Sequence, residues 1–221
     1  MSRRMPASPG ARLVWFDTEY TSLELEQARL AQVAMIVTDF EGRRVAPPEL
    51  DLVTPVHLSA RTPVSDFLAR ECPALVVRCR AAGTPNAAAV DEQLAARLEE
   101  ILGPTSARMA ERPMLAGNSI HHDWWLARRY LPRFLARLHY RHLDVSTLKI
   151  LWLNAGVGPE FKKEDPALVQ RYLPGWSLPA PAGRHDALYD VLCSIAELNY
   201  YRQHLWPAGA EAIETRLAVG R

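Results

Sequence analysis

The sequence is poor in cysteine. Among 221 residues there are three, Cys72, Cys79 and Cys193, an odd number with no Cys-x-x-Cys pair. That excludes a disulfide framework and a thiolate zinc site, and predicts buried free thiols in a reducing compartment. Long apolar runs are also missing. The longest, Val33-Ala34-Met35-Ile36-Val37, falls far short of the ~20 residues that a membrane-spanning helix needs. Arg3 and Arg4 carry the charge of a secretory leader, but no apolar stretch follows them. A cytoplasmic protein without a membrane partner is the expectation. Excess charge of one sign is absent too: 26 Lys and Arg oppose 25 Asp and Glu, for a net charge of +1. A uniformly basic coat for long nucleic acid is thereby excluded, while a local charged cleft is not. No internal repeat is visible, which argues against a solenoid.

What is present is globular. With 48% hydrophobic and 23% charged residues, burial outweighs chain entropy over most of the length. At ~100–200 residues per domain, the chain reads as one domain over 11–206. A disordered lead-in at 1–10 and a polar tail at 207–221 flank it. Leu13-Val14-Trp15-Phe16 and Val33 to Val37 are strand-forming runs, and Asp39-Phe40-Glu41-Gly42 signals the turn after the second. With a third strand at 50–53 they predict an antiparallel meander. Val90, Leu94, Leu98, Ile101 and Leu102 recur at helical spacing, so a helix is expected over 87–102. Shorter helices are expected at 64–70, 122–130, 132–138 and 148–154, the last capped by Ser146 or Thr147. Short strands are expected near Met114-Leu115-Ala116 and Leu143-Asp144-Val145. Residues 156–184 read as loop and short helix, and a final helix runs from His185 to His204. Strands followed by alternating helices and strands predict an α/β fold with a mixed sheet.

The first strand exits through Asp17-Thr18-Glu19. Residues i and i+2 of a strand share a face, so Asp17 and Glu19 stand side by side. Two close anions repel unless a cation sits between them, and carboxylate oxygens suit a hard ion such as Mg²⁺ or Mn²⁺. The alternative is two solvated acids at a strand end. Asp123 opens a helix after a buried strand, and Asp190 lies in the last helix. His185 precedes Asp190 by five residues, ~140° around a helix axis, so the two converge only if His185 sits on the loop leading in. Such acids with a histidine can build a two-metal phosphoryl-transfer site, the imidazole taking a proton from water.

Asp17-Thr18-Glu19, Asp123 and His185-x-Ala187-x-x-Asp190 together resemble the DEDDh family of 3′-to-5′ exonucleases, and within it the oligoribonucleases. Leu13 to Leu23 resembles the family's first motif and Gly117 to Asp123 the second. His139-Tyr140-Arg141-His142-Leu143-Asp144-Val145-Ser146-Thr147-Leu148-Lys149 lies outside the shared exonuclease signature and is the most telling stretch. The resemblance implies a ribonuclease H-like mixed sheet flanked by helices. It implies hydrolysis of short single-stranded RNA to nucleoside 5′-monophosphates with two Mg²⁺ or Mn²⁺ ions, by a homodimer. Asp17 would bridge both ions, Glu19 and Asp190 would complete the first, Asp123 would serve the second, and His185 would be the general base. Leu23 would wedge against the bases, Ser119 would lie near the terminal nucleotide and its phosphate, and Tyr140 would reach the partner subunit's site; Asn118 and His122 are further candidates for substrate binding, His122 standing where the family usually has Gln or Glu.

Glu71 to Arg80 departs from the family, standing where oligoribonucleases carry a tryptophan-containing cap. A looser limit on substrate length is therefore expected, with Arg78 and Arg80 meeting the phosphates of a longer strand. Trp124 or Trp125 could replace the missing aromatic. Arg128, Arg129, Arg133 and Arg137, like Lys162-Lys163, read either as a phosphate-guiding rim or as a solvated face. Two other functions remain open: a DNA-directed exonuclease, and a non-catalytic protein that binds nucleic-acid ends.

Overall fold

A run apolar on both faces suits a strand covered on both sides. Leu13-Val14-Trp15-Phe16 is such a run, and it lies in β1 (Arg12–Tyr20), the centre of a five-stranded sheet. The computed structural model describes residues 12–156, 158–173, 175–178 and 186–205. The expected lead-in, the tail after Pro207 and His185 lie outside the described residues.

β1 pairs antiparallel with β2 (Leu30–Asp39), which pairs antiparallel with β3 (Leu52–Pro55), so the expected meander is present. The third strand starts two residues later than expected, because a single 3₁₀ turn occupies Pro48–Leu50. Two short helices follow, α1 (Asp66–Glu71) and α2 (Pro73–Arg80), then the long α3 (Ala87–Leu102). The Ser65 side chain accepts from Leu68 N and starts α1. α2 is an addition to the sequence reading. Pro73 stands at its first position, where a missing N–H costs nothing.

β4 (Met114–Gly117) returns parallel to β1, leads into α4 (His121–Tyr130) and α5 (Pro132–Leu135), and β5 (His142–Asp144) adds parallel to β4. The order is β3-β2-β1-β4-β5. α6 (Val145–Asn154), α7 (Pro166–Arg171) and α8 (Ala187–Leu205) complete the chain. α6 begins earlier than expected. Its cap is the Asp144 carboxylate, accepting from Ser146 N, rather than Ser146 or Thr147.

Strand alternation divides the core. Leu13, Trp15, Ala34 and Ile36 face α8, with Val191, Ile195 and Tyr201 packed on them. Val14, Phe16, Val33 and Met35 face the other way, against Val90 and Leu94 of α3 and Leu126 of α4. A smaller cluster seats α1 and α2 through Leu68, Leu75, Val76 and Cys79 on Ala31 and Leu58. The Trp15 indole, wholly buried, donates to Thr38 Oγ1 at 2.8 Å and so leaves no orphaned donor. β1, β4 and β5 all end at one edge of the sheet, between the two helical layers, where parallel sheets bind ligands. Gly117 sits at that edge so close to β1 that a Cβ there would lie 2.9 Å from the Phe16 carbonyl oxygen.

Candidate active site

Alternation also distributes the acids. Asp17 and Glu19 continue the Leu13–Trp15 face, the face that α8 covers, so Asp190 of α8 meets them. One carboxylate oxygen from each of Asp17, Glu19 and Asp190 lies within 4.8 Å of the others. Thr18 points to the opposite face, where α4 packs. Asp123 Oδ1 accepts from Thr18 N at 2.8 Å and from Thr18 Oγ1 at 2.7 Å. The fourth acid is thereby clasped to β1 from the far side, and all four line one cleft of about 470 Å³, within the range of small-ligand pockets. The strand register shifts between Glu19 and Tyr20, an irregularity of the kind that re-aims side chains beside active sites.

Crowding shifts these groups. Burial, then the charges of Asp123, Asp190 and Glu19, raise Asp17 well above the usual carboxylate range. Burial, then Asp190 and Asp123, push Glu19 up to about 8. Burial raises Asp123 too, against the opposing hydrogen bonds from Thr18. The counter-charge that offsets these shifts on Asp17 and Glu19 is Lys163, whose Nζ lies 2.9 Å from Asp190 Oδ1. Hard oxygen donors held this close, with a cation already drawn to them, fit a divalent ion.

A family model described as exonuclease matches residues 14–198. An oligoribonuclease of Leifsonia xyli subsp. xyli is 33% identical over 202 residues, covering 89% of this chain and 85% of that one. An oligoribonuclease of Alkalilimnicola ehrlichii is 36% identical over 203 residues, covering 90% and 93%. The chain belongs to the exonuclease family. The fold agrees. Cell-death related nuclease 4 (CRN-4) superposes with a TM-score of 0.60 at 14% identity, over 88% of this chain and 64% of its own. The zinc-bound E. coli ExoI–ssDNA complex gives 0.58 at 17% identity, over 87% and 40%. The chain spans less than two thirds of either structure, and the shared part is the ribonuclease H-like mixed sheet with its helices.

The cleft of this exonuclease also takes in Leu23, Asn118, Ser119 and His122. Leu23 is 86% exposed, an apolar side chain held at the mouth. Ser119 adopts φ 49°, a left-handed conformation uncommon outside glycine, and its N–H donates to Asp144 Oδ1 and Ser146 Oγ. Asn118 Nδ2 donates to Glu197 Oε2 at 2.8 Å, so its amide is anchored inward on a buried carboxylate. His122 Nδ1 lies 3.5 Å from the Tyr20 hydroxyl, and burial lowers its pKa. Tyr140 is exposed, stacked on His139 with ring centroids 4.4 Å apart, and is not among the residues that line this cleft.

Several other candidates lie away from the cleft. Trp124 packs near His142 with Arg128 over its ring, and Trp125 lines a separate depression with Glu26, Arg128 and Arg129; neither lines the cleft. Arg133 pairs with Glu92 and Arg137 with Glu99, so these two bind α3 instead of forming a phosphate rim. Neither Arg78 nor Arg80 lines the cleft, because α2 turns into its own small core; Arg80 instead reaches the Thr62 carbonyl.

Two aromatics line the cleft, Tyr20 and, upstream of the stretch where the family carries its cap, Phe67 of α1. The signal for Phe67 was an aromatic between Ser65-Asp66 and Leu68, read only as helix. Gln32 was missed as well. It lies opposite Glu19 in the strand register, fully buried, and its Oε1 accepts from Ala187 N at 3.2 Å, tying β2 to the start of the helix that carries Asp190. A lone polar residue inside the Leu30–Val37 run was the clue.

Proposed function

We propose that this exonuclease hydrolyses short single-stranded RNA from the 3′ end, releasing nucleoside 5′-monophosphates, and that it does so with divalent Mg²⁺ or Mn²⁺. The observation that carries this reading is the convergence of Asp17, Glu19 and Asp190 within 4.8 Å in a cleft that also holds Asp123. A protein that only bound nucleic-acid ends would gain nothing from such a cluster, whose crowded acids destabilise the fold unless a cation joins them.

Asp17, Glu19 and Asp190 would hold one divalent ion, and Asp123, in the same cleft, would serve a second together with Asp17. Bound there, the ions supply an activated water and neutralise charge on the attacking and leaving oxygens. The Thr18 clasp fixes which oxygen of Asp123 faces the cleft. His185, one residue before the described start at Asp186, accepts the proton of the attacking water, since a neutral imidazole is poised for that near pH 7. Leu23 and Phe67, which both line the cleft, would pack against the bases, and Ser119 would meet the terminal nucleotide.

The working unit is a homodimer. α6 exposes Ile150, Leu151 and Leu153 beyond its buried Trp152, and an uncovered aliphatic row on one helix favours a subunit contact. Exposed Tyr140 would reach the partner's cleft.

The test uses labelled RNA and DNA of two to ~20 nucleotides, with Mg²⁺, Mn²⁺ or chelator, resolved by product length. Stepwise shortening from the 3′ end of RNA, abolished by chelator, is expected. Cleavage of DNA in preference to RNA would replace the substrate assignment. Full activity in chelator would overturn the metal site.

A further inference from the structure

Among the described residues, Lys163 is the lysine or arginine that lines the cleft. Arg133, Arg137 and Lys149 pair with acids away from the cleft. Lys163 Nζ sits 2.9 Å from Asp190 Oδ1, in the cleft shared with Asp17, Glu19 and Asp123. Its side chain keeps half its exposure, so the ammonium can move, whereas that of Asp190 is largely covered.

The backbone beneath it is pinned. The Lys163 carbonyl accepts from the Tyr189 hydroxyl at 2.9 Å, and Cys193 Sγ lies 3.9 Å from the same oxygen. Tyr189 and Cys193 flank Asp190 on α8. Two residues before Lys163, Phe161 is buried between Tyr172 and Tyr200. Two residues after it, Asp165 caps α7 through Ala167 N and Leu168 N. The loop thus delivers a lysine to the acidic cluster at little further entropic cost. Burial pulls the lysine pKa down, but the contact with Asp190 outweighs this and keeps the ammonium charged.

We propose that Lys163 is a counter-cation built into the site, serving the Asp190 carboxylate before the divalent ion binds and the substrate phosphate afterwards. This rests on the metal-dependent nuclease reading above. An ion that takes Asp190 Oδ1 must displace the ammonium from it. Released on its pinned stem, the ammonium remains within a side chain's reach of the cleft, and the next anion there is a phosphate. Lysine suits this exchange better than arginine, because it is a compact point charge on a flexible chain and makes no fixed bidentate fork.

The test compares wild type with Lys163→Met, Lys163→Gln and Lys163→Arg. Mn²⁺ binding to the metal-free proteins is measured by calorimetry at fixed ionic strength. Adenosine 5′-monophosphate binding is then measured at saturating Mn²⁺, on variants whose thermal unfolding remains cooperative. Loss of the charge should tighten Mn²⁺ binding about threefold or more and weaken the nucleotide about tenfold, the scale of one charge-assisted contact. Lys163→Arg should restore nucleotide binding in part. If Met and Gln leave either affinity unchanged, the exchange is refuted and the pair is an ordinary surface ion pair. If wild type itself binds no Mn²⁺, the metal-dependent reading fails, and the two failures are distinguishable.

Discussion

Replacing Glu19 with Gln should abolish activity and yet stabilise the metal-free protein. In the unfolded chain Glu19 titrates near its ordinary 4.5, whereas in the fold it is pushed up to about 8 by burial and by Asp190 and Asp123. Below pH ~4.5 both states hold the proton and the difference vanishes. Between 4.5 and about 8 the folded chain binds more protons than the unfolded one, so wild-type stability falls as pH rises. At pH 7 the gap from 4.5 corresponds to roughly 3 kcal/mol at ~1.4 kcal/mol per pH unit, with part of it shared among the neighbouring acids. Gln carries no such penalty. A gain of about 2–3 kcal/mol raises the melting temperature of a chain this size by roughly 5–10 °C. Thermal unfolding in chelator from pH 5 to 8 reads this directly. The advantage of Glu19→Gln should be small at pH 5 and grow with pH. Mg²⁺ should then stabilise wild type more than the variant. A variant no more stable than wild type at pH 7, or one whose advantage is the same at pH 5, would refute the account of a strained acidic cluster.

The remaining expectations concern turnover, recognition and assembly. Asp17→Asn should keep the fold and lose at least ~10² in rate, because it removes charge from the bridging ligand; near-wild-type turnover would contradict that role. His185→Ala should lower kcat by ~10²–10⁴ with little change in substrate affinity, and the wild-type rate should fall at acidic pH as the imidazole protonates. An unchanged kcat and pH profile would assign the proton to another group. Phe67→Ala should raise KM about tenfold or more for two- to seven-nucleotide RNA through lost stacking, with kcat nearly constant; a loss confined to kcat would show that Phe67 holds the fold and not the base. Leu151→Glu should convert a dimer to monomer in sedimentation at micromolar concentration, and a wild-type monomer would reject the dimer.

The parts legible in the sequence were those with short-range causes. Alternation alone set Asp17 and Glu19 on one face, and the 87–102 helix was readable from spacing bounded by Gly103-Pro104. The Thr18–Asp123 clasp joins residues 105 positions apart, and no local pattern marks a threonine hydroxyl as a carboxylate's partner. α2 was obscured by Cys72-Pro73, because a proline that opens a helix has the same local signature as one that breaks a helix. Asp144 read as the middle of a strand, and it is both the end of β5 and the cap of α6. In Ile150-Leu151-Trp152-Leu153 apolar residues point all around the helix, so periodicity could not tell that Trp152 is the buried one and its neighbours the exposed ones. The roles of Lys163, visible only as half of a basic pair, and of Phe67 were hidden for a similar reason. Each sits in a stretch whose direction is set by distant packing, on α8 in one case and on the small cluster around Leu68 in the other.

Hydrolysis as proposed requires a divalent ion held by Asp17, Glu19 and Asp190 together. Anomalous diffraction from crystals grown with Mn²⁺, at a concentration that supports RNA cleavage, tests it most directly. A peak is expected between those three carboxylates, with Lys163 moved off Asp190. A cleft without a peak under those conditions, or Mn²⁺ bound only elsewhere on the surface, would contradict it.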